Sequence, residues 1–459
     1  MSEKIIVIGA GPAGSVAAER CAQEETEVTL IERWLLGGCC LNVGCIPSKA
    51  LLNASEIFHQ SLNSEDLGVT ANASIDYAKT ASWKNNVVEK LRSQSRKPLE
   101  RAGVTIKEGE GLFSSSSEII VNDGENEESI EFDKAIIATG SEVIELPNFP
   151  FDHEAVLNSR QFIELEELPD RLLIVGAGYI GMELGTVAAK LGVDVTTIEM
   201  TNQILPGWDK RLIKPVEKKA KNLGIDFHFG LKATELKTKD NENIVIAENE
   251  SGEEKEFPTN QVLVTVGRKP QVDGLNLDNT KVRTNENGFI ETNESMQTND
   301  PNIYAAGDVA GEPMLAHKAF RDAVIASNSI LDKETPPRGH VPSVVFTDPK
   351  ISQVGISPSK KNKSRHSVGR AYFRANGAAF TKNKTEGLAR ILFDKETETI
   401  LGADIVGPDA SELIHELCLA IENNLGVKEI VNTIHAHPTL SEIILKAAEN
   451  AGEFPTYSL

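Results

Sequence analysis

Apolar and polar positions alternate with two distinct periods along the chain. Lys4-Ile-Ile-Val-Ile8 is a short unbroken apolar run and reads as a strand buried on both faces, hence parallel. Gly9-Ala-Gly11-Pro-Ala-Gly14 follows, then an Ala-rich helical stretch, then Val28-Thr-Leu-Ile-Glu32. This is a complete βαβ unit. Such glycines allow a tight turn, close approach of backbone to a pyrophosphate, and close packing of helix on strand. The helix N-terminus offers amide donors, and Glu32 can accept from ribose hydroxyls. A glycine motif alone matches many tight turns; here strand, helix and acid all stand in place. The unit recurs as Leu172-Leu-Ile-Val175, Gly176-Ala-Gly178-Tyr-Ile-Gly181, a helix through Lys190, and Val195-Thr-Thr-Ile-Glu199. Gly9 to Gly176 and Glu32 to Glu199 are both 167 residues apart. Two dinucleotide sites in one chain suit the passage of electrons between two carriers.

Between the units, Val104-Thr-Ile-Lys107, Glu118-Ile-Ile-Val121 and Ser129-Ile-Glu-Phe132 read as a small antiparallel insert, the last two joined around Asp123-Gly124. The basic stretch from Lys90 to Arg101 is amphipathic at helical spacing and reads as a solvated face. Pro147-Asn-Phe-Pro150 precedes the second unit, and Pro336-Pro-Arg-Gly-His340 separates a helical stretch at Ala319 to Ile330 from a final segment. The fold class is α/β, in three parts.

With 459 residues the chain can hold several cores, and 25 % charged against 40 % hydrophobic residues is the balance of a globular protein. Its net charge of −21 repels nucleic acid and anionic lipid, so any bound anion must be held by local backbone geometry. No apolar run reaches the roughly 20 residues that cross a bilayer, and the N-terminus carries no signal-type core. A cytoplasmic protein is expected. Five cysteines (Cys21, Cys39, Cys40, Cys45, Cys418) are too few and too clustered for a secreted disulfide framework, and three within seven residues suggest redox or metal chemistry.

Those three lie in Gly37-Gly-Cys-Cys-Leu-Asn-Val-Gly-Cys-Ile-Pro-Ser-Lys49. A spacing of five places Cys40 and Cys45 about 140° apart around a regular helix, too divergent for bridging. The backbone must deviate, as Gly44 permits, before Pro47 opens a helix whose N-terminus, with Lys49, favours a thiolate. Zinc normally needs four ligands, and the sequence sets no second Cys or His pair nearby, so no metal site is expected. Inert buried thiols are the remaining alternative.

Together with these cysteines, the first glycine motif, Ala138-Thr-Gly140, the second glycine motif with Glu183, Val266-Gly-Arg268, Asn302-Ile-Tyr-Ala-Ala-Gly-Asp-Val309 and His435-Ala-His-Pro-Thr-Leu-Ser-Glu442 make the whole chain resemble the flavin-dependent pyridine nucleotide-disulfide oxidoreductases. The resemblance implies two Rossmann-like domains and a C-terminal α+β dimerisation domain. The FAD domain would be discontinuous, residues 1–145 and 267–337; residues 146–266 would bind NAD, and residues 338–459 would form the dimer interface. It also implies FAD contacts at Gly9, Gly11, Gly14, Glu32 and Asp308, NAD contacts at Gly176, Gly178, Gly181 and Glu199, and cofactor contacts at Thr139, Gly140, Gly267 and Arg268. Lys49, paired with Glu183, would sit beside the flavin, where a cation stabilises the reduced ring. His317 would lie near it.

By the same resemblance Cys45 faces the flavin and Cys40 exchanges disulfides with substrate. His437 and Glu442 form an acid/base pair that serves the partner chain of a homodimer: an imidazole of pKa ~6.5 can take a proton from a thiol of pKa ~8.5 while a carboxylate fixes its tautomer. His435 fits a supporting role. The His435 to Glu442 segment, the tail Phe454-Pro-Thr-Tyr-Ser-Leu459 without extra cysteines, the intact cysteine pair and the NADP-disfavouring Glu199 point within the family to the members that oxidise dihydrolipoyl groups with NAD, on a lipoyl domain or on free dihydrolipoamide. The rivals are an NADH-dependent reductase of another small disulfide and a non-catalytic scaffold or redox sensor. One residue departs from the family pattern: Cys39 stands where a small residue, often threonine, is usual.

Overall fold

The structure, a computed structural model, describes residues 2–240 and 242–451; the tail from Phe454 to Leu459 lies outside them. Two open parallel sheets and one antiparallel sheet organise the chain.

In the first sheet the strands run Ile303–Ala305, Lys134–Ile137, Lys4–Ile8, Glu27–Glu32, Thr105–Glu108, all parallel. Successive side chains of a strand point to opposite faces. Ile5 and Val7 accordingly meet the helices Pro12–Ala22 and Ala316–Ile330, which approach through Ala13, Ala17, Ala319 and Ala323. On the other face Ile6 and Ile8 meet Phe113, Ile119 and Val121 of a three-stranded antiparallel sheet, Glu110–Ser115, Glu118–Asn122 and Glu127–Glu131. Each of these isoleucines is at least 96 % buried, worth roughly 1.5–3 kcal/mol apiece.

One strand expectation fails. Val104 to Lys107 is not part of the antiparallel insert: Thr105–Glu108 pairs in parallel with Glu27–Glu32 and closes the sheet edge, and Glu110–Ser115 takes its place in the insert. An edge strand has one paired side and a polar face, so its short pattern resembles that of a hairpin strand.

The second unit repeats this plan, with parallel strands in the order Asp226–Phe229, Asp194–Glu199, Arg171–Val175, Gln261–Val264, Val156–Leu157. Leu172 and Ile174 pack on Leu184, Val187 and Leu212, while Leu173 and Val175 face Val245, Ala247 and Phe257 of a second antiparallel sheet. Ser141–Val143 and Arg268–Pro270, the two crossings between the units, pair antiparallel.

The C-terminal part is an antiparallel sheet, Ser343–Val345, Lys350–Gly355, Ile400–Gly407, Leu388–Asp394, His366–Tyr372, packed on helices Ala410–Glu422 and Glu442–Glu449. Charged junctions tie it to the second unit. Arg390 pairs at 2.6 Å with Asp404 of its own sheet and at 2.6 Å with Asp209 at the start of helix Lys210–Asn222, while Lys190 pairs with Asp348 at 2.8 Å and with Glu56. Among the described residues no helix is long and apolar enough to cross a membrane.

Candidate active site

The cysteine segment breaks as the spacing requires. Gly37 and Gly38 take φ of +90° and +57° and lead into a short helical turn, Gly38–Asn42; the backbone departs from it at Val43 and Gly44, and a new helix runs over Cys45–Leu62. A Cβ on Gly44 would lie 3.0 Å from the Cys39 carbonyl oxygen, which is how closely the segment folds on itself. The break resets the helical phase, and the Cys40 and Cys45 thiols hydrogen-bond to each other. That bond, donated by Cys40, lowers the Cys45 thiol to about 7 against the opposing effect of burial, and the Lys49 ammonium lowers it further. Cys40 is correspondingly pushed up by donating to Cys45 and by burial. The five cysteines are free thiols, and among the described residues no group of three His, Cys, Asp or Glu side chains could hold a metal ion.

Three parts of the chain converge on Lys49. Its ammonium lies 2.7 Å from Glu183 Oε2, on the helix Tyr179–Lys190 of the second unit, and 4.4 Å from the ring centroid of Phe346 in the C-terminal part. Glu183 Oε1 accepts from the Phe346 amide at 2.9 Å. Phe346 carries no local signal in the sequence, being one aromatic residue just beyond a short strand. Tyr179, 43 % exposed, also faces this space, from a variable position inside the second glycine motif.

The cysteine pair and Lys49 lie in a cavity of about 1700 Å³ that extends to the first glycine turn. Gly9 (φ +95°) turns the chain there, with Gly11 at the mouth and Gly14 beneath, where a Cβ would lie 1.7 Å from the Gly9 carbonyl oxygen. No side chain caps the helix Pro12–Ala22, so its first amides remain available. Glu32 lines the cavity, yet its oxygens accept from the backbone amides of Ala10 (2.6 Å) and Trp34 (2.8 Å). The Thr139 hydroxyl donates to the Gln271 carbonyl (2.6 Å), and Gly140 has φ +78°. From the paired crossings, Arg268 Nε donates to Ser141 Oγ (2.8 Å), which donates to Asp308 Oδ2 (2.5 Å). Gly267 (φ +130°) lies behind Arg268, outside the lining. His317 Nε2 donates to the Pro342 carbonyl at 2.6 Å. Cys39 opens on the same space, with Arg268 as its side-chain partner, and burial raises its thiol. An uncapped helix end, a glycine cradle and an elongated space leading to a thiol pair fit a dinucleotide with a redox-active ring.

The glycines of the second turn do not line this cavity, although Tyr179 and Ile180 between them do. Gly176 (φ +100°), Gly178 and Gly181 open the helix Tyr179–Lys190, again without a side-chain cap, and the residue beneath is again crowded, a Cβ on Gly181 lying 2.2 Å from the Gly176 carbonyl oxygen. Buried Glu199 accepts from the amides of Ala177 and Thr201, both at 2.8 Å. This turn suits a second dinucleotide.

His437 and Glu442 are likewise absent from the cavity lining. The half-exposed imidazole places Nδ1 2.9 Å from Glu442 Oε1, and Glu442 Oε2 accepts from the Thr439 amide at 2.8 Å. Partial burial alone would raise the Glu442 carboxyl; the amide and the imidazole outweigh it and hold the group below its ordinary value. His435 turns away to Glu416 at 3.0 Å, which raises its pKa. The His437–Glu442 pair is therefore assembled within one chain, outside the cavity that holds Cys40 and Cys45.

Residues 3–323 match the model of the pyridine nucleotide-disulphide oxidoreductases, and residues 341–448 that of their dimerisation domain. The chain is 45 % identical to a dihydrolipoyl dehydrogenase of Halobacterium salinarum, covering 97 % of this chain and 96 % of that protein, and 40 % identical to one of Bacillus subtilis with the same coverages. Among solved structures, LpdA of Mycobacterium tuberculosis superposes with a TM-score of 0.91 at 26 % identity over 97 % of this chain and 99 % of that one. RclA of Escherichia coli, a flavoprotein disulfide reductase induced by HOCl, gives 0.88 at 26 % identity over 98 % and 99 %.

Proposed function

We propose that this chain, which belongs to the pyridine nucleotide-disulphide oxidoreductase family, is a dihydrolipoyl dehydrogenase that oxidises dihydrolipoyl groups through a Cys40–Cys45 disulfide and reduces NAD. The observation that carries the reading is the Cys40–Cys45 pair, hydrogen-bonded and half-buried beside the Lys49–Glu183 ion pair in the cavity below the first glycine turn.

When bound, FAD supplies the two-electron relay between thiols and nicotinamide. The remaining work belongs to side chains. His437, held in one tautomer by Glu442, takes the proton of a substrate thiol. The thiolate attacks Cys40 Sγ, and the Cys40–Cys45 bond breaks to release the Cys45 thiolate, which the Lys49 charge and the helix N-terminus stabilise. The second substrate sulfur displaces Cys40 from the mixed disulfide. Lipoyl disulfide leaves, and its two electrons stay in the reduced cysteine pair. Glu183 pairs with Lys49 and aims it. Asp308, Thr139, Gly140, Arg268 and His317 hold the flavin; Gly176, Gly178, Gly181 and Glu199 hold NAD.

Residues 1–145 with 267–337 form the FAD domain, a division supported by the pairing of Ile303–Ala305 with Lys134–Ile137; residues 146–266 form the NAD domain and 338–459 the interface domain. The enzyme works as a cytoplasmic homodimer on a lipoyl domain or free dihydrolipoamide. Steady-state assay with dihydrolipoamide and NAD tests this, against reduced glutathione and NADP; turnover confined to glutathione or NADP would overturn it. Sharing of the site is tested by mixing inactive Cys45→Ser and His437→Ala chains under subunit exchange. Activity should return in heterodimers, which carry one site with both groups, and its absence in proven heterodimers would refute a shared site.

A further inference from the structure

Immediately before Asp308, the strand Ile303–Ala305 ends and Gly307 turns the chain with φ +85° and ψ −151°. Few L side chains adopt that conformation. A Cβ there would also meet Ala13 and Ala319 at 3.2 and 3.3 Å. Its peptide groups have left the sheet, and charged side chains reach both, the carbonyl accepting from the Ala310 amide at 3.0 Å as well. The Gly307 amide donates to Asp322 Oδ2 at 3.3 Å, and Lys318 Nζ donates to the Gly307 carbonyl at 3.1 Å. The two side chains are themselves paired at 2.6 Å, four residues apart on helix Ala316–Ile330, and their exposures are 3 % and 0 %. Arg338, from the stretch leading into the C-terminal part, approaches the free Asp322 Oδ1 at 3.4 Å.

A buried ion pair is an inefficient way to stabilise a helix, because desolvating two charges offsets most of their attraction. Lys318 moreover lies in the first turn of its helix, where the dipole disfavours a cation. The placement breaks two local rules, and its geometry suits another task. Charge-assisted bonds, stronger than neutral ones, grip the two polar atoms of one residue, and that residue precedes the acid. The Asp308 carboxylate is fixed from the other side by Ser141 at 2.5 Å, with Arg268 behind it.

We propose that Lys318 and Asp322 are positioning residues that set the Gly307 peptide and thereby aim the Asp308 carboxylate at the ribityl and phosphate region of the flavin. This inference rests on the FAD-binding reading of the first unit. Neither residue pairs with the cysteines; Lys318 borders the cavity and Asp322 does not. The dyad acts through Asp308.

The test is a double-mutant cycle on FAD affinity. Holoenzyme is depleted of FAD, refolding of the apoprotein is checked by circular dichroism, and FAD is titrated back by fluorescence. Lys318→Gln/Asp322→Asn removes both charges together and leaves no buried charge uncompensated. It should raise the FAD Kd about tenfold, or about 1.4 kcal/mol, and shift the visible flavin spectrum. Combined with Asp308→Asn, it should add less than threefold to the loss that Asp308→Asn causes alone. An unchanged Kd, or losses that multiply in the combined variant, would overturn the proposal, since a merely structural pair would weaken FAD independently of Asp308. If the neutral pair does not refold, Asp322→Glu keeps the charge but displaces it by one methylene. It should weaken FAD in the same coupled way, and an unchanged Kd would again refute the role. Failure of the unaltered protein to rebind FAD would instead refute the underlying functional reading.

Discussion

The two glycine turns are nearly the same object in different surroundings. Gly9 and Gly176 have φ of +95° and +100°, and each donates its amide at 2.8 Å to the strand alongside, to Ile31 and Ile198. Glu32 and Glu199 each bind the amide after the first glycine and the amide two residues beyond their own position. In front, the likeness ends. Gly38 of the cysteine segment presses on Gly11, so that a Cβ on Gly38 would lie 2.7 Å from Gly11 Cα, whereas a Cβ on Gly178 would meet no atom within 4 Å. Gly9 and Gly11 of the first turn line the large cavity, whereas the glycines of the second do not, and only Tyr179 and Ile180 of that motif reach its wall. Local geometry makes a dinucleotide cradle; what covers it decides whether the ligand is enclosed or free to exchange, as a resident carrier and a passing cosubstrate require.

Paired substitutions can break the comparison. The largest effect should come from valine at the crowded glycine. Gly14→Val should yield protein without FAD, whereas Gly181→Val should purify with FAD and show a KM for NAD raised more than about tenfold, about 1.4 kcal/mol. Loss of FAD from both variants, measured by absorbance after gel filtration, would show that the turns are not independent.

The covered and open fronts come next. Gly38→Ala forces a Cβ into the left-handed region against Gly11, at a cost of about 1–3 kcal/mol, and should lower both Tm and FAD retention. Gly178→Ala, with φ −69° and open space, should leave Tm unchanged while raising the KM for NAD, because only the ligand meets the new methyl group. An unaltered KM would mean that NAD does not use this turn.

A third test concerns the thiols that share the cavity with the first turn. In the two-electron-reduced enzyme the long-wavelength thiolate-flavin band should grow as pH rises through about 7, the pKa of Cys45, since the thiolate is the absorbing form. Cys45→Ser should lack the band. Cys40→Ala removes the donor that lowers Cys45 most, and should move the midpoint upward by about one pH unit, about 1.4 kcal/mol. A midpoint that stays in place would assign the thiolate to another cysteine, Cys39 first.

The smallest effects should follow from Glu32→Gln and Glu199→Gln. Each replaces a carboxylate that accepts two amides by a group that can accept with one oxygen, a loss of about 1 kcal/mol to its own turn. Glu199→Gln should also narrow the preference for NAD over NADP, measured as a kcat/KM ratio, by removing a charge that repels a 2′-phosphate.

Much of this was legible in the chain. Both βαβ units, their equal spacing and the break between Cys40 and Cys45 follow from periodicity, glycine placement and helix phase, all local properties. The second antiparallel sheet, Lys232–Lys239 with Glu242–Glu248 and Glu254–Thr259, was not legible, since its charged, half-exposed strands carry little apolar contrast. Thr105–Glu108 departs from the expectation because its membership depends on a neighbour 76 residues earlier. Phe346 was not legible because it has meaning only beside Lys49 and Glu183, far away in sequence, and the Lys318–Asp322 dyad because its contacts with Gly307 and Arg338 cross from a helix to a strand end and a connecting stretch that no local period links.

By itself the sequence determined the turns: where glycine must stand for backbone to reverse or come close, where a helix must break, and which strands are buried on both faces. These depend on sterics and solvation over a few residues. Only the tertiary structure decided which turn is enclosed, that Lys49 meets Glu183 and Phe346, and that His437 stands with Glu442 away from the thiols of its own chain. Those relations join segments about 130 to 400 residues apart. Local pattern carries no record of such contacts, because they arise where apolar faces of separate units pack together and bring their polar ends into register.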